Sequence, residues 1–133
     1  MITKIVPILI FSSLAYASDY KCPEFIETAQ SLKTPVADGW QAVSEPFKEK
    51  QRLERISIFA GHPKDGGTLV PDNENSDKNP FWTFSKDEKL GIWMGCVYLD
   101  SVILLIRELP KSTKKCTEKY KLNPKRVDVL SCL

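Results

Sequence analysis

The chain has 133 residues, with 19 lysines and arginines against 17 aspartates and glutamates and a single histidine. That length suits one domain and is too short for two ordinary ones. A formal net charge of +2 rules out the broad basic surface that displaces counterions from a phosphate backbone, so no nucleic-acid partner is expected.

In chain order, residues 1–17 read as a secretory signal peptide. Lys4 precedes an apolar run over residues 5–11, Ser12-Ser13 breaks it, and Ala15-Tyr16-Ala17 places small residues at the minus-three and minus-one positions. The apolar run is too short to cross a bilayer. Cleavage after Ala17 is expected, leaving a periplasmic domain over residues 18–133. Cys22 lies too far from that cleavage site to be a lipid-modified first residue. No later apolar stretch is long enough to span a membrane.

Strands are expected over residues 25–32 and 52–60. In the second, strict alternation places Leu53, Ser57 and Phe59 on one face and Ile56, Ile58 and Ala60 on the other, so its end should be covered on both sides. Residues 44–51, with Pro46 near their start, read as a minor helical turn. A short strand is expected over residues 81–84. Two stronger ones, over residues 92–99 and 102–109, are joined at Asp100-Ser101 as a central hairpin. A helix over residues 97–109 competes with that hairpin, but the Val, Ile and Tyr content, Gly95 and the Leu109-Pro110 stop favour strands. The last strand is expected over residues 126–132. The fold class is therefore mainly β: one small antiparallel domain, a sandwich or curled sheet.

Cys22, Cys96, Cys116 and Cys132 all follow the leader, and an even cysteine count in a small exported domain reads as two disulfides. Structural zinc needs closely spaced ligand pairs, which this spacing and one histidine do not supply, so neither a metal nor another cofactor is expected. Three pairings are open. Cys22 with Cys132 and Cys96 with Cys116 is preferred, because the first would tie the chain ends together.

Catalytic patterns are sparse. There is no His-x-x-x-His pair and no Gly-x-Ser-x-Gly elbow, and the carboxylates are scattered, so the chain is not expected to be an enzyme. His62 sits in a loop with Gly61, Asp65, Gly66 and Gly67. As a protruding recognition loop it would offer Gly61, His62, Asp65 and Gly66 to a partner; as a plain turn it would only reverse the chain. Trp93 is expected in the core. Trp82, flanked by Pro80, Phe81 and Phe84, is the better surface aromatic. Residues 111–126 carry seven cations, Lys114 and Lys115 among them, against the single acid Glu118. They read either as a patch that steers an acidic partner or as a solvated edge in which lysines discourage aggregation.

An ordered signature runs through the chain: Cys22-Pro23, Gly39-Trp40, Gly61-His62-Pro63, Leu69-Val70-Pro71, Trp93-x-x-Cys96-x-Tyr98, Leu109-Pro110, Cys116 and Cys132. It resembles a family of small exported proteobacterial proteins first named as hypothetical from a typhoid Salmonella genome. Some members are encoded near type VI secretion genes, which implies periplasmic immunity proteins that neutralise cell-wall-degrading toxins. The resemblance implies a shared disulfide frame for the four cysteines, a core or turn role for Trp40, Pro63 and Trp93, and no catalytic residues. Two function classes follow: an inhibitor that occludes a peptidoglycan-active toxin, or a non-catalytic binding or structural module of the envelope.

Overall fold

The computed structural model describes residue 10 and residues 16–45, 49–65, 67–85, 89–122 and 124–133. Most of the expected leader, Pro46 and Gly66 lie outside the described residues. Among the described residues nine strands follow in order: β1 (Ser18–Tyr20), β2 (Phe25–Glu27), β3 (Lys50–Ala60), β4 (Gly67–Leu69), β5 (Phe81–Thr83), β6 (Ile92–Tyr98), β7 (Leu104–Glu108), β8 (Lys115–Lys121) and β9 (Arg126–Cys132). They form two antiparallel sheets, one ordered β1-β9-β8-β5 and the other β2-β3-β6-β7, with β4 also on β3. Among the described residues no helix is long and apolar enough to cross a membrane.

The core lies between the sheets. Ile56, Ile58, Met94, Cys96 and Tyr98 come from one side, and Trp82, Cys116, Leu130 and Cys132 from the other. Alternation fails at two bulges. One between Leu53 and Arg55 reverses the parity of β3, so Leu53 packs with the core-facing Ile56 and Ile58 and not with Phe59. A second, between Lys119 and Tyr120, brings Val127 onto the core beside Leu130.

Several expected elements are corrected. The first apolar strand stops at Glu27, because Thr28 N–H makes a last bond to Glu49 O, before the start of β3, and the chain then leaves the sheet. The described part of the expected helical turn holds no helix, and Lys50 and Gln51 already belong to β3. The hairpin of β6 and β7 is present, turning through Asp100 at φ 55°. The basic stretch is no edge: β8 lies inside its sheet, between β9 and β5.

The preferred disulfide pairing is also overturned. Cys22 bonds Cys96, and Cys116 bonds Cys132. The chain ends are instead joined by the β1–β9 ladder, in which Ser18 faces Cys132. Cys116 sits directly opposite Cys132 across β8 and β9, with Cα atoms 4.1 Å apart, within reach of a disulfide. Cys22 crosses to the second sheet, where Tyr98 Oη also donates to Pro23 O at 2.7 Å.

One charged side chain is part of this framework. Glu118 of β8 is 3% exposed, and its Oε1 accepts the N–H of Ile56 at 3.2 Å. Ile56 lies in the gap that β2 and β4 leave along one edge of β3. Burial pushes the Glu118 carboxyl above its ordinary value, against the Ile56 N–H, the Tyr120 hydroxyl and the charges of Arg55 and Lys125. The Tyr120 phenol is pushed up to about 12 by burial, the Glu118 charge and their shared hydrogen bond.

Candidate partner-binding surface

The face of the β3–β6–β7 sheet that points away from the core carries a row of apolar side chains. Register places Phe59, Trp93 and Glu108 side by side, then Ser57, Gly95 and Ile106, then Arg55, Val97 and Leu104. The Phe59 ring lies over Gly95, where an added Cβ would come within 2.9 Å of Phe59 Cε2. Any larger side chain at this position would push against that ring. Trp93 is half-buried, and the exposed His62 meets it edge-on, with ring centroids 4.7 Å apart at 63°.

The loop after β3 is built to hold His62 there. Gly61 takes φ 82°, a left-handed conformation that favours glycine. Its N–H donates to Gly91 O at 2.8 Å. His62 Nδ1 accepts the Lys64 N–H at 3.1 Å, and the Asp65 N–H closes the turn on His62 O at 2.8 Å. An aromatic centre with Arg55 and Glu108 on the same face, and Lys64 and Asp65 in the turn of His62, has the anatomy of a binding patch, in which aromatics carry the energy and the polar rim excludes water.

The structure unites only part of the expected site. His62 and Asp65 share this loop, with Gly61 buried beneath as a backbone support. Trp82 is 3% exposed, at the centre of β5, with Nε1 donating to Leu69 O at 3.1 Å; the expectation of a surface aromatic there is corrected. The roles of the tryptophans are exchanged, because Trp93 occupies the outward parity of β6 while Ile92 and Met94 take the inward one. Trp40 is 77% exposed, so its core role fails, while its N–H bond to Ala37 O at 3.1 Å keeps the turn role.

Lys114 and Lys115 lie on the other sheet, at the start of β8. Lys115 Nζ rests 4.5 Å from the Phe81 ring centre. Lys125 covers Tyr120 at 4.7 Å, Lys121 pairs with Asp128 at 3.5 Å, and Arg126 bonds Glu24 at 2.6 Å. Four of the basic segment's cations are thus engaged within the chain.

Sequence reasoning missed the apolar row as a surface, since Trp93 looked like core; Phe59 lies on the same face but is only 8% exposed. The available signal was parity: Trp93, Val97, Ile106 and Leu104 all fall opposite the core-facing set once the hairpin is paired.

A family model described as type VI secretion system Tli immunity protein matches residues 48–132. That is more than half of the chain. The chain belongs to this family. No curated protein and no solved structure matches it. Membership in an immunity-protein family implies a toxin as partner and agrees with the immunity role that the sequence resemblance implied. The two disulfides fit an oxidising compartment. The matched stretch contains β3, β4, β6 and β7, hence every strand of the apolar outer face, and leaves out β1, β2 and Cys22.

Proposed function

We propose that this immunity protein acts in the periplasm, where it binds a type VI toxin and occludes its active site. The family match over residues 48–132 carries this reading. The leader-like residues 1–17 and the paired cysteines support the compartment. The docking surface is the outer face around Trp93, with the turn that carries His62 and Asp65 offering polar contacts beside it. The toxin class implied by the sequence resemblance is peptidoglycan-active.

The test is periplasmic co-expression with the toxin encoded beside this gene, read as cell survival. Release of wall fragments and hydrolysis of phospholipid vesicles are measured in parallel with the purified pair. Protection that disappears when residues 2–17 are deleted, with wall hydrolysis suppressed, supports all parts of the proposal. Suppressed lipid hydrolysis would replace the toxin class and keep the immunity role. His62→Ala is expected to leave the melting temperature within a few degrees, because an exposed side chain removes no core volume. Trp93→Ala is expected to weaken toxin binding by about 2 kcal/mol, roughly thirtyfold, as a central aromatic anchor. Undiminished binding by both variants would move the docking surface elsewhere, and tight binding to a glycan with no toxin bound would end the immunity reading.

A further inference from the structure

Strand β7 is an edge strand with aliphatic side chains on both faces. Residues 102–106 read Val-Ile-Leu-Leu-Ile, and all five are exposed, Val102 at 96%. Other edges are either short or closed by the chain itself. β1, β2 and β4 have three residues each. On β5, Asn73 Oδ1 takes the Phe81 N–H and Asp72 Oδ2 takes that of Thr83. In the open stretch of β3, Glu24 O takes the Leu53 N–H and Glu118 takes that of Ile56. Natural sheets guard their edges with such caps or with charges. Ser101 Oγ takes the Ile103 N–H at 3.0 Å, but among the described residues no such cap meets the N–H of Leu104 or Ile106, and residues 102–106 carry no charge.

The hydrogen-bond parity of this edge follows from one contact. Leu109 N–H donates to Ile92 O, so Leu109, Arg107 and Leu105 turn their backbone groups toward β6. Leu104, Ile106 and Glu108 turn theirs outward. Leu99 and residues 102–106 together expose apolar surface on the order of 500 Å², near the upper end for a monomer. Two such surfaces facing each other reach about 1,000 Å², where specific interfaces begin.

We propose that a second copy of this chain occupies the edge, pairing β7 with β7 antiparallel about a two-fold axis at Leu105. In that register Leu104 lies opposite Ile106 of the second copy, in hydrogen-bonded pairs, and the two Leu105 residues meet in a non-hydrogen-bonded pair. Aliphatic faces aliphatic through the centre, no like charges are opposed, and the axis makes the interface self-complementary. Registers centred one residue to either side are poorer: one opposes Asp100 to Glu108, the other sets Leu104 against Glu108. The two sheets become one, and Leu104, Ile106 and Trp93 of both copies share a single outer face. The docking surface of the preceding section is then built twice, side by side.

Self-association is measured on the purified protein without toxin, so its outcome is independent of the immunity reading. Sedimentation over a wide concentration range is expected to show a monomer–dimer equilibrium. Leu105→Cys is expected to give a disulfide-linked dimer on a non-reducing gel. Ile106→Pro removes an N–H that β6 does not use, as edge strands tolerate, and is expected to weaken dimerisation at least tenfold. Leu104→Lys, which places a charge on the edge without changing the backbone, should do the same even if the proline disturbs folding. A wild type that sediments as a monomer throughout, absence of the Leu105→Cys cross-link, or a Leu104→Lys variant as dimeric as wild type would overturn the proposal. So would a monomeric wild type whose toxin binding is lost on Leu105→Lys, which charges the edge on the face opposite the docking surface, since a strand of the toxin would then hold the edge.

Discussion

Replacing Cys22 and Cys96 together with alanine is expected to lower stability by about 4 kcal/mol, a large part of the roughly 5–15 kcal/mol that holds a small domain together. The bond closes a sequence separation of 74 residues, and in the chain-entropy account long loops gain most from closure. The other joins between this N-terminal segment and the second sheet are local ones, among them the Tyr98 hydroxyl on Pro23 O, the Leu53 N–H on Glu24 O, the Thr28 N–H on Glu49 O, the Arg52–Glu24 ion pair and the three-residue pairing of β2 with β3. The same double replacement at Cys116 and Cys132, separated by 16 residues, is expected to cost about 3 kcal/mol. Those cysteines are already neighbours in the β8–β9 ladder. Urea unfolding of both variants checks the ranking; a larger loss for the Cys116–Cys132 pair would show that the N-terminal segment is anchored by packing and not by its disulfide.

Glu118→Ala is expected to cost about 2–3 kcal/mol, because it strands the buried Ile56 N–H, at roughly 1–3 kcal/mol for an unsatisfied group, and removes the partner of the half-buried Tyr120 hydroxyl. Glu118→Gln keeps an acceptor for Ile56 and should cost less. The pH dependence separates a buried carboxyl from a merely polar one. Burial raises its folded pKa above the ordinary 4.5, so between the two values the folded state binds more protons than the unfolded one. The stability contributed by this group is fully present below 4.5 and is lost as pH rises through the raised value. Subtracting the Glu118→Gln profile from wild type in urea melts across that window should leave a difference that falls with pH. A difference that rises with pH would mean the ionised form is the one the fold prefers.

Strands β3, β6 and β9 were legible because their aliphatic residues alternate or run together where neighbouring strands cover them. β8 was not, since its inward residues are a lone cysteine, Cys116, and an acid, Glu118, too few apolar side chains to show alternation, and its outward lysines resemble a solvated loop. Among the site residues, the loop that holds His62 was visible from its glycines. Its contact with Trp93 was not, because which face of a strand turns outward depends on the sheet stacked against the other face.

The amino-acid sequence by itself determined the β class, the hairpin after Tyr98, the count of two disulfides and the family. Each follows from local chemistry: β-branched content, a turn dipeptide, an even number of cysteines, an ordered motif. Only the tertiary structure decided which cysteines pair, which tryptophan is buried, and that residues 102–106 lie along an open edge. Those outcomes depend on strand order and on two bulges that reverse side-chain parity. Parity is a relation between strands distant in sequence, and no stretch of the chain carries it alone.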